Sequence, residues 1–213
     1  MRLKSDLFGT VERVEQRQGD EIALLVMRDT RAARWWLGWL ARHLARREAK
    51  ALRALAGTHG VPALAGFERG VLLRQWIEGE PMHKARPRDP AYFRAAMRLL
   101  RRLHRARVAH NDLAKEPNWL VTPARQPALV DFQLALVSRR RGRLFRMLAR
   151  DDIRHLLKHK RTYCPERLTR RERAILARPS PLARAWMASG KKVYLFVTRR
   201  LLGWADREGA GDR

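Results

Sequence analysis

Three polar residues in one stretch have the types and spacing for phosphoryl chemistry. Asp112 lies in His110-Asn111-Asp112-Leu113-Ala114-Lys115-Glu116-Pro117-Asn118, and Asp131 lies in Val130-Asp131-Phe132-Gln133. Asp112 follows a helical pattern, Asn118 stands at the start of a short apolar run, and Asp131 ends the next one. If those runs pair as a hairpin, Asn118 and Asp131 come together. Two oxygen ligands facing one cleft suit Mg²⁺, a hard cation that takes one or two protein oxygens plus phosphate. Asp112, on the preceding loop, is placed to orient a hydroxyl and accept its proton. Asp and Asn also favour turns, so capping of the loop is the other reading of Asp112 and Asn118. An acid inside the apolar run from Ala128 to Val137 needs a cation or a partner.

The elements that must position these residues are legible in outline. Val11, Val14, Ile22 and Leu24 to Met27 are strand formers, and Gly19-Asp20 between the two runs fits a hairpin turn. Residues 30 to 56 read as a long helix, with Thr30 able to cap its start and Gly57 placed where it stops. Val71 to Ile77 reads as a buried strand, and 78 to 82 as a linker. A helix runs from Pro90 to Arg107, its residues Phe93, Ala96, Met97, Leu100 and Leu103 sharing one face. Short strands follow at 119–122 and 128–132. Beyond Leu144 the pattern is helical, with breaks at Tyr163 to Pro165 and at Pro179-Ser180-Pro181. The layout predicts two lobes with a cleft between them.

These motifs resemble the protein-kinase-like superfamily, most closely the small bacterial lipopolysaccharide-core kinases and the RIO-type serine/threonine kinases. His110-x-Asp112 is similar to the catalytic-loop His-Arg-Asp, Asn118 to the metal-binding Asn, and Asp131-Phe132-Gln133 to Asp-Phe-Gly. The resemblance is strongest over residues 93 to 135. It implies an α+β, compact two-lobed fold: an N-lobe over 1–78 with a small antiparallel sheet and one long helix, and a mainly helical, shortened C-lobe over 79–213. It implies ATP and Mg²⁺ as cofactors, Asp112 as base, and Asn118 and Asp131 as metal ligands. The acceptor it implies is a protein Ser/Thr hydroxyl or a lipopolysaccharide-core sugar.

Arg28 stands where the family has a strand lysine, and Glu48 where its helix glutamate pairs with that residue. Gln75 to Glu78, with Gln75 and Ile77, takes the place where the family holds adenine through the backbone. Asp152 resembles the helix Asp that braces the catalytic loop. The residues themselves also allow a solvated strand-end Arg28, a surface helix partner at Glu48 and an N-cap at Asp151 or Asp152. The chain departs from the family in four places. The loop from Asp112 to Asn118 is one residue longer, Gln133 replaces glycine, Arg28 replaces lysine, and Gly9 is the only glycine near the first strand. The last two departures keep a pseudokinase-like binding module in play.

Composition bounds the remaining choices. The 213 residues carry a formal charge of +26, and 39 of the 47 basic residues are arginine. Such a charge attracts anions in general, from acidic lipid to nucleic acid. No aromatic-basic nucleic-acid motif accompanies it, which places an RNA- or ribosome-associated protein behind the other readings. One cysteine, Cys164, excludes a disulfide framework and a Cys-based zinc site. No apolar run approaches the roughly 20 residues of a membrane span, and the first residues lack the apolar stretch of a secretory signal. A cytoplasmic protein is expected, with peripheral contact at the inner membrane. Arg34-Trp35-Trp36-Leu37-Gly38-Trp39-Leu40 supplies that contact: Trp36 and Leu40 are assigned to the core, and Trp35 and Trp39 to the membrane. The stretch from Val193 to Trp204 is also apolar and basic.

Overall fold

The computed structural model describes residues 1–18 and 21–178. Strands β1 (Arg2–Asp6), β2 (Gly9–Gln18) and β3 (Glu21–Asp29) form an antiparallel meander. Helix α1 (Gly38–Ala54) follows, then β4 (Leu64–Glu68) and β5 (Val71–Gln75). The five strands make one sheet in the order β1-β2-β3-β5-β4. Gly19 and Asp20, the predicted hairpin turn, lie outside the described residues. The expected break at Pro179-Ser180-Pro181 and the stretch from Val193 to Trp204 do too.

Period-2 patterning explains one face of this sheet. Val26 pairs with Arg74 and Arg28 with Leu72, so these four residues share a face. Val26 and Leu72 on it are buried. Helix α1 presents Ala41, Ala45, Glu48, Ala49 and Leu52 as its own buried stripe, at helical spacing.

The helix starts later than the sequence suggests. Thr30 does not cap it: its backbone N–H (3.0 Å) and its hydroxyl (2.7 Å) both donate to the carbonyl of Gly70, tying β3 to the β4–β5 turn. A hydroxyl spent there cannot cap a helix. The chain turns over Arg31 to Ala33, forms a 3₁₀ turn at Trp35–Leu37, and only then enters α1. Trp36, assigned to the core from spacing, is exposed, because the 3₁₀ turn rotates it off the helical stripe.

The predicted linker is itself paired. Strand β6 (Glu80–Pro81) leads into a short helix α2 (Met82–Ala85). Helix α3 (Pro90–Arg105) is capped by Asp89, whose carboxylate accepts from the Ala91 N–H, with Pro90 in the first turn. Phe93, Ala96, Leu100 and Leu103 are buried in a cluster with Trp119, Phe132 and Leu156, and Met97 packs against it.

Strands β7 (Val108–Ala109), β8 (Trp119–Val121), β9 (Pro127–Leu129) and β10 (Leu136–Val137) come next. The β6-β8-β9 sheet is antiparallel, and β10 pairs with β7. Helix α4 (Arg143–Tyr163) and helix α5 (Arg170–Ala177) complete the described chain. Thr169 and Glu172 form a reciprocal capping box at α5, and the Lys160 ammonium binds both Glu172 carboxylate oxygens. The architecture is mixed α+β, with a small antiparallel sheet and one long helix in its first part. Among the described residues, no helix is long and apolar enough to cross a membrane.

Helix α4 carries a pH-sensitive group. Burial pushes the His155 imidazole down to about 4, with Lys158 adding to the effect and Asp151 opposing it. The unfolded chain takes up this proton near 6.5 and the folded chain only near 4. His155 therefore costs nothing above that range and destabilises the fold as pH falls through it. We expect about 2 kcal/mol of stability to be lost between about pH 7.5 and about pH 5. Denaturant melts at both pH values check this. A His155→Gln chain with the same pH slope would refute it.

Candidate functional site

The site is built where β3, α1 and the segment after β9 meet. Arg28, on the α1-facing side of β3, places Nε 3.4 Å from Glu48 Oε2 and Nη2 3.6 Å from Asp131 Oδ1. Its side chain is largely buried, so it is not a solvated strand-end arginine. Glu48 is fully buried rather than a surface partner. Three positions far apart in the chain thus share one charge network.

A fourth member went unread in the sequence. Arg74 of β5 brings Nε to 3.2 Å from Glu48 Oε1, and its side chain is almost fully buried. Burial pushes the Arg74 guanidinium down from its usual value, with Glu48 opposing that shift and Arg28 adding to it. The signal was present: Arg74 stands two residues after Leu72 in a strand with a buried face, so the two must point the same way. In the network, two guanidiniums face two carboxylates.

Asp131 reaches this network through its backbone. It follows β9 by two residues and adopts φ 64°, ψ 69°. Left-handed backbone is rare for residues other than glycine but tolerated by Asp and Asn. Burial alone would raise the Asp131 carboxyl. Arg28, a 2.6 Å hydrogen bond from Gln133 Nε2, and then Arg74 outweigh it, and the group sits below the ordinary carboxylate range. Gln133 thus holds Asp131 Oδ1. A 3₁₀ turn at Phe132–Leu134 carries the chain on, and Arg47 of α1 donates to the carbonyls of Leu134 and Ala135.

Asn118 is not on a strand. It ends a 3₁₀ turn, Glu116–Asn118, immediately before β8, because Pro117 lacks the N–H that a strand ladder uses. Its carbonyl accepts from the Val130 N–H at 3.1 Å, so the hairpin brings Asn118 opposite Val130, next to Asp131. Asn118 Nδ2 donates to the Asp112 carbonyl (2.8 Å) and to Asp112 Oδ2 (3.1 Å). That bond closes the loop, as turn capping would. It also joins Asn118 directly to Asp112, whose Oδ2 lies 3.1 Å from Lys115 Nζ.

The loop is held from behind by α4. Asp152 is buried in mid-helix and is not an N-cap. Its Oδ2 accepts from the His110 N–H (2.8 Å) and lies 3.1 Å from His104 Nε2, and its Oδ1 accepts from the Asn111 N–H (2.9 Å). Asn111 is left-handed at φ 62°, a turn these bonds hold in place. Farther along, His159 Nε2 sits 2.8 Å from the Leu113 carbonyl and the Tyr163 hydroxyl donates to Glu116. The loop from His110 to Glu116 is therefore held by α4 rather than left unsupported.

Replacing Asp152 by asparagine should cost about 2–3 kcal/mol, since an amide cannot accept both buried N–H groups. Thermal melts check this, and a loss below about 1 kcal/mol would contradict the bracing role.

The other predicted positions fall less tightly together. Gln75 is exposed and donates its backbone N–H to the Ala63 carbonyl at 2.8 Å, so it could meet a base only through other groups. Ile77 lies half-buried two residues past β5. Gly9 serves the sheet: a Cβ there would collide with the Asp29 carbonyl oxygen, and its φ is +123°. A surface groove of about 860 Å³, lined by Glu78, Glu80, Lys84, Arg86 and Arg125 among others, touches the predicted adenine segment at Glu78 and includes none of Arg28, Glu48, Gln75, Ile77, Asp112, Asn118 and Asp131. Among the described residues, no group of three or more His, Cys, Asp or Glu could hold a metal by itself. Asp131 and Asn118 fit the smaller requirement of Mg²⁺, hard oxygen donors completed by phosphate. No protein-family model matches the chain, and no curated protein matches it.

Proposed function

We propose that the chain is an ATP- and Mg²⁺-dependent phosphotransferase with a compact, two-lobed protein-kinase-like fold, 1–78 forming one lobe and the described residues from 79 onward the other. The observation that carries this reading is Arg28 between Glu48 and Asp131. The resemblance requires a strand cation, a helix acid and a post-hairpin acid to converge, and residues 28, 48 and 131 do so.

Each residue then has a task. Arg28 holds phosphate oxygens, bidentately where a lysine would act as a point charge. Glu48, itself paired with Arg74, holds Arg28 in place. Asp112 orients the acceptor hydroxyl and takes its proton, while Asn118 and Lys115 fix the carboxylate. Asn118 and Asp131 would hold Mg²⁺, which supplies charge neutralisation on the phosphates. The acceptor is a protein Ser/Thr hydroxyl or a lipopolysaccharide-core sugar.

A second reading is favoured by one observation. Asp131 is already engaged by Arg28 and Gln133, and a nucleotide-binding module without transfer would tolerate that. The test is transfer of labelled γ-phosphate from ATP into a membrane-plus-soluble extract, with glycolipid then separated from protein. Transfer is expected, and the label's destination identifies the acceptor class. A Mg²⁺-dependent thermal shift with ATP but no transfer selects the binding module. Neither shift nor transfer would overturn both readings.

A further inference from the structure

The residues leading into α1 expose what a folded protein ordinarily hides. Trp35 is 92 % exposed, Trp39 66 % and Trp36 38 %. The 3₁₀ turn that carries the first two indoles buries none of its residues. Three large indoles within five positions form an apolar patch that the described fold does not cover, and such patches mark interaction sites.

The charge around the patch is one-sided. Arg31, Arg34, Arg42, His43 and Arg46 are exposed along the same segment. Arg42 folds back toward the helix start: a Cβ built on Gly38 would lie 3.4 Å from its Nη1. A Cβ on Gly70 would lie 3.7 Å from both Arg31 Cγ and Arg42 Cγ, so the Arg69–Gly70 turn borders the same surface. The acids that face it are already matched. Asp29 is bound by the Arg31 guanidinium at 2.7 Å, and Glu68 pairs with Arg69 at 3.4 Å. Glu48 is buried, and the first turn of α1 contains no acid. Arg34, Arg42 and Arg46 therefore add net positive charge beside the indoles.

We propose that this surface docks the protein on an anionic phospholipid bilayer, with Trp35 and Trp39 at the head-group level and Arg34, Arg42 and Arg46 on lipid phosphates. Indoles favour that depth because their rings are apolar and their N–H is polar. Guanidinium pairs well with phosphate. Shape separates lipid from single-stranded nucleic acid, which also stacks on aromatics beside basic residues. Single-strand sites commonly track the backbone along a basic groove, whereas Trp35, 92 % exposed, projects into solvent and suits a flat surface. The inference goes beyond phosphotransfer and is read without nucleotide, so either can fail alone.

The test is co-sedimentation of the full chain with phosphatidylglycerol–phosphatidylethanolamine vesicles against phosphatidylcholine vesicles. Binding to the anionic vesicles alone is expected. Trp35→Ala with Trp39→Ala should weaken it about tenfold or more with an unchanged melting temperature, since both side chains are exposed. Arg34→Gln with Arg42→Gln should weaken it and flatten its salt dependence. Acyl-chain-brominated phosphatidylglycerol should quench indole emission, and a Trp35→Phe, Trp39→Phe chain should keep binding while losing most of that quenching. Equal binding to both vesicle types, or full binding by the double-Ala chain, would overturn the proposal. Tighter binding to single-stranded RNA than to the anionic vesicles, lost in the double-Ala chain, would reassign the surface to nucleic acid.

Discussion

Replacing Glu48 by glutamine is expected to destabilise the protein by about 3 kcal/mol, because it removes one partner of a buried ion network. Glu48 is fully buried and forms ion pairs with two arginines, Arg28 at 3.4 Å and Arg74 at 3.2 Å. The amide keeps the shape but offers an uncharged group to two guanidiniums. Arg28 retains Asp131, which lies 3.6 Å away. Arg74 keeps only the weaker attraction of Asp131, and burial already pushes its guanidinium down. At this chain length such a loss lowers the melting temperature by about 10 °C. A double variant adding Arg74→Met should recover part of the loss, since it removes the guanidinium left unpaired. A change of less than about 1 kcal/mol in the single variant would mean that the network contributes little.

The second large effect concerns chemistry rather than stability. In the phosphotransferase reading, Asp112→Asn should lower kcat by about 10²–10⁴-fold, the range spanned by a positioned general base. The asparagine can still accept from Asn118 Nδ2 through its carbonyl oxygen, so the loop keeps its closure. The KM for ATP and any Mg²⁺-dependent thermal shift should stay near their original values, because Asp112 is assigned to the acceptor hydroxyl and not to the nucleotide. Initial-rate kinetics with both substrates varied would check this. An Asp112→Asn chain turning over at the original rate would remove Asp112 from the chemistry.

The two experiments probe different halves of the same site. Glu48 and Arg74 set where Arg28 can go, and Asp112 and Asn118 set where a hydroxyl can go. Asp131 joins them, since its left-handed backbone turns a carboxylate out of the hairpin toward Arg28. The αL conformation at Asn111 and Asp131 has a local basis, because Asp and Asn tolerate it where β-branched residues do not.

Much of this was legible without coordinates. The stripe of α3, the hairpin just before Asp131 and the break at Tyr163 to Pro165 follow from spacing and from the chemistry of proline and the caps, which act within a few residues. Asp112, Asn118 and Asp131 stood out for the same reason: 20 residues of chain hold them, and one hairpin brings them near. Glu48 was assigned by position, although its place on the Ala41–Ala45–Ala49–Leu52 stripe already implied burial.

What spacing could not supply was partnership across the chain. That Arg74 shares Glu48 depends on β5 pairing with β3 in one register and on α1 crossing that face. A shift of one residue would turn Arg74 to the opposite face. Thr30 looked like a helix cap because capping is local, yet its hydroxyl is taken by Gly70, 40 residues away. The same displacement of the helix start turned Trp36 outward. The amino-acid sequence by itself determined which faces are apolar and which residues can carry charge or a proton. Only the tertiary structure decided which charges meet, because non-local contacts depend on register and packing, and a buried charge is stable only where its partner is brought to it.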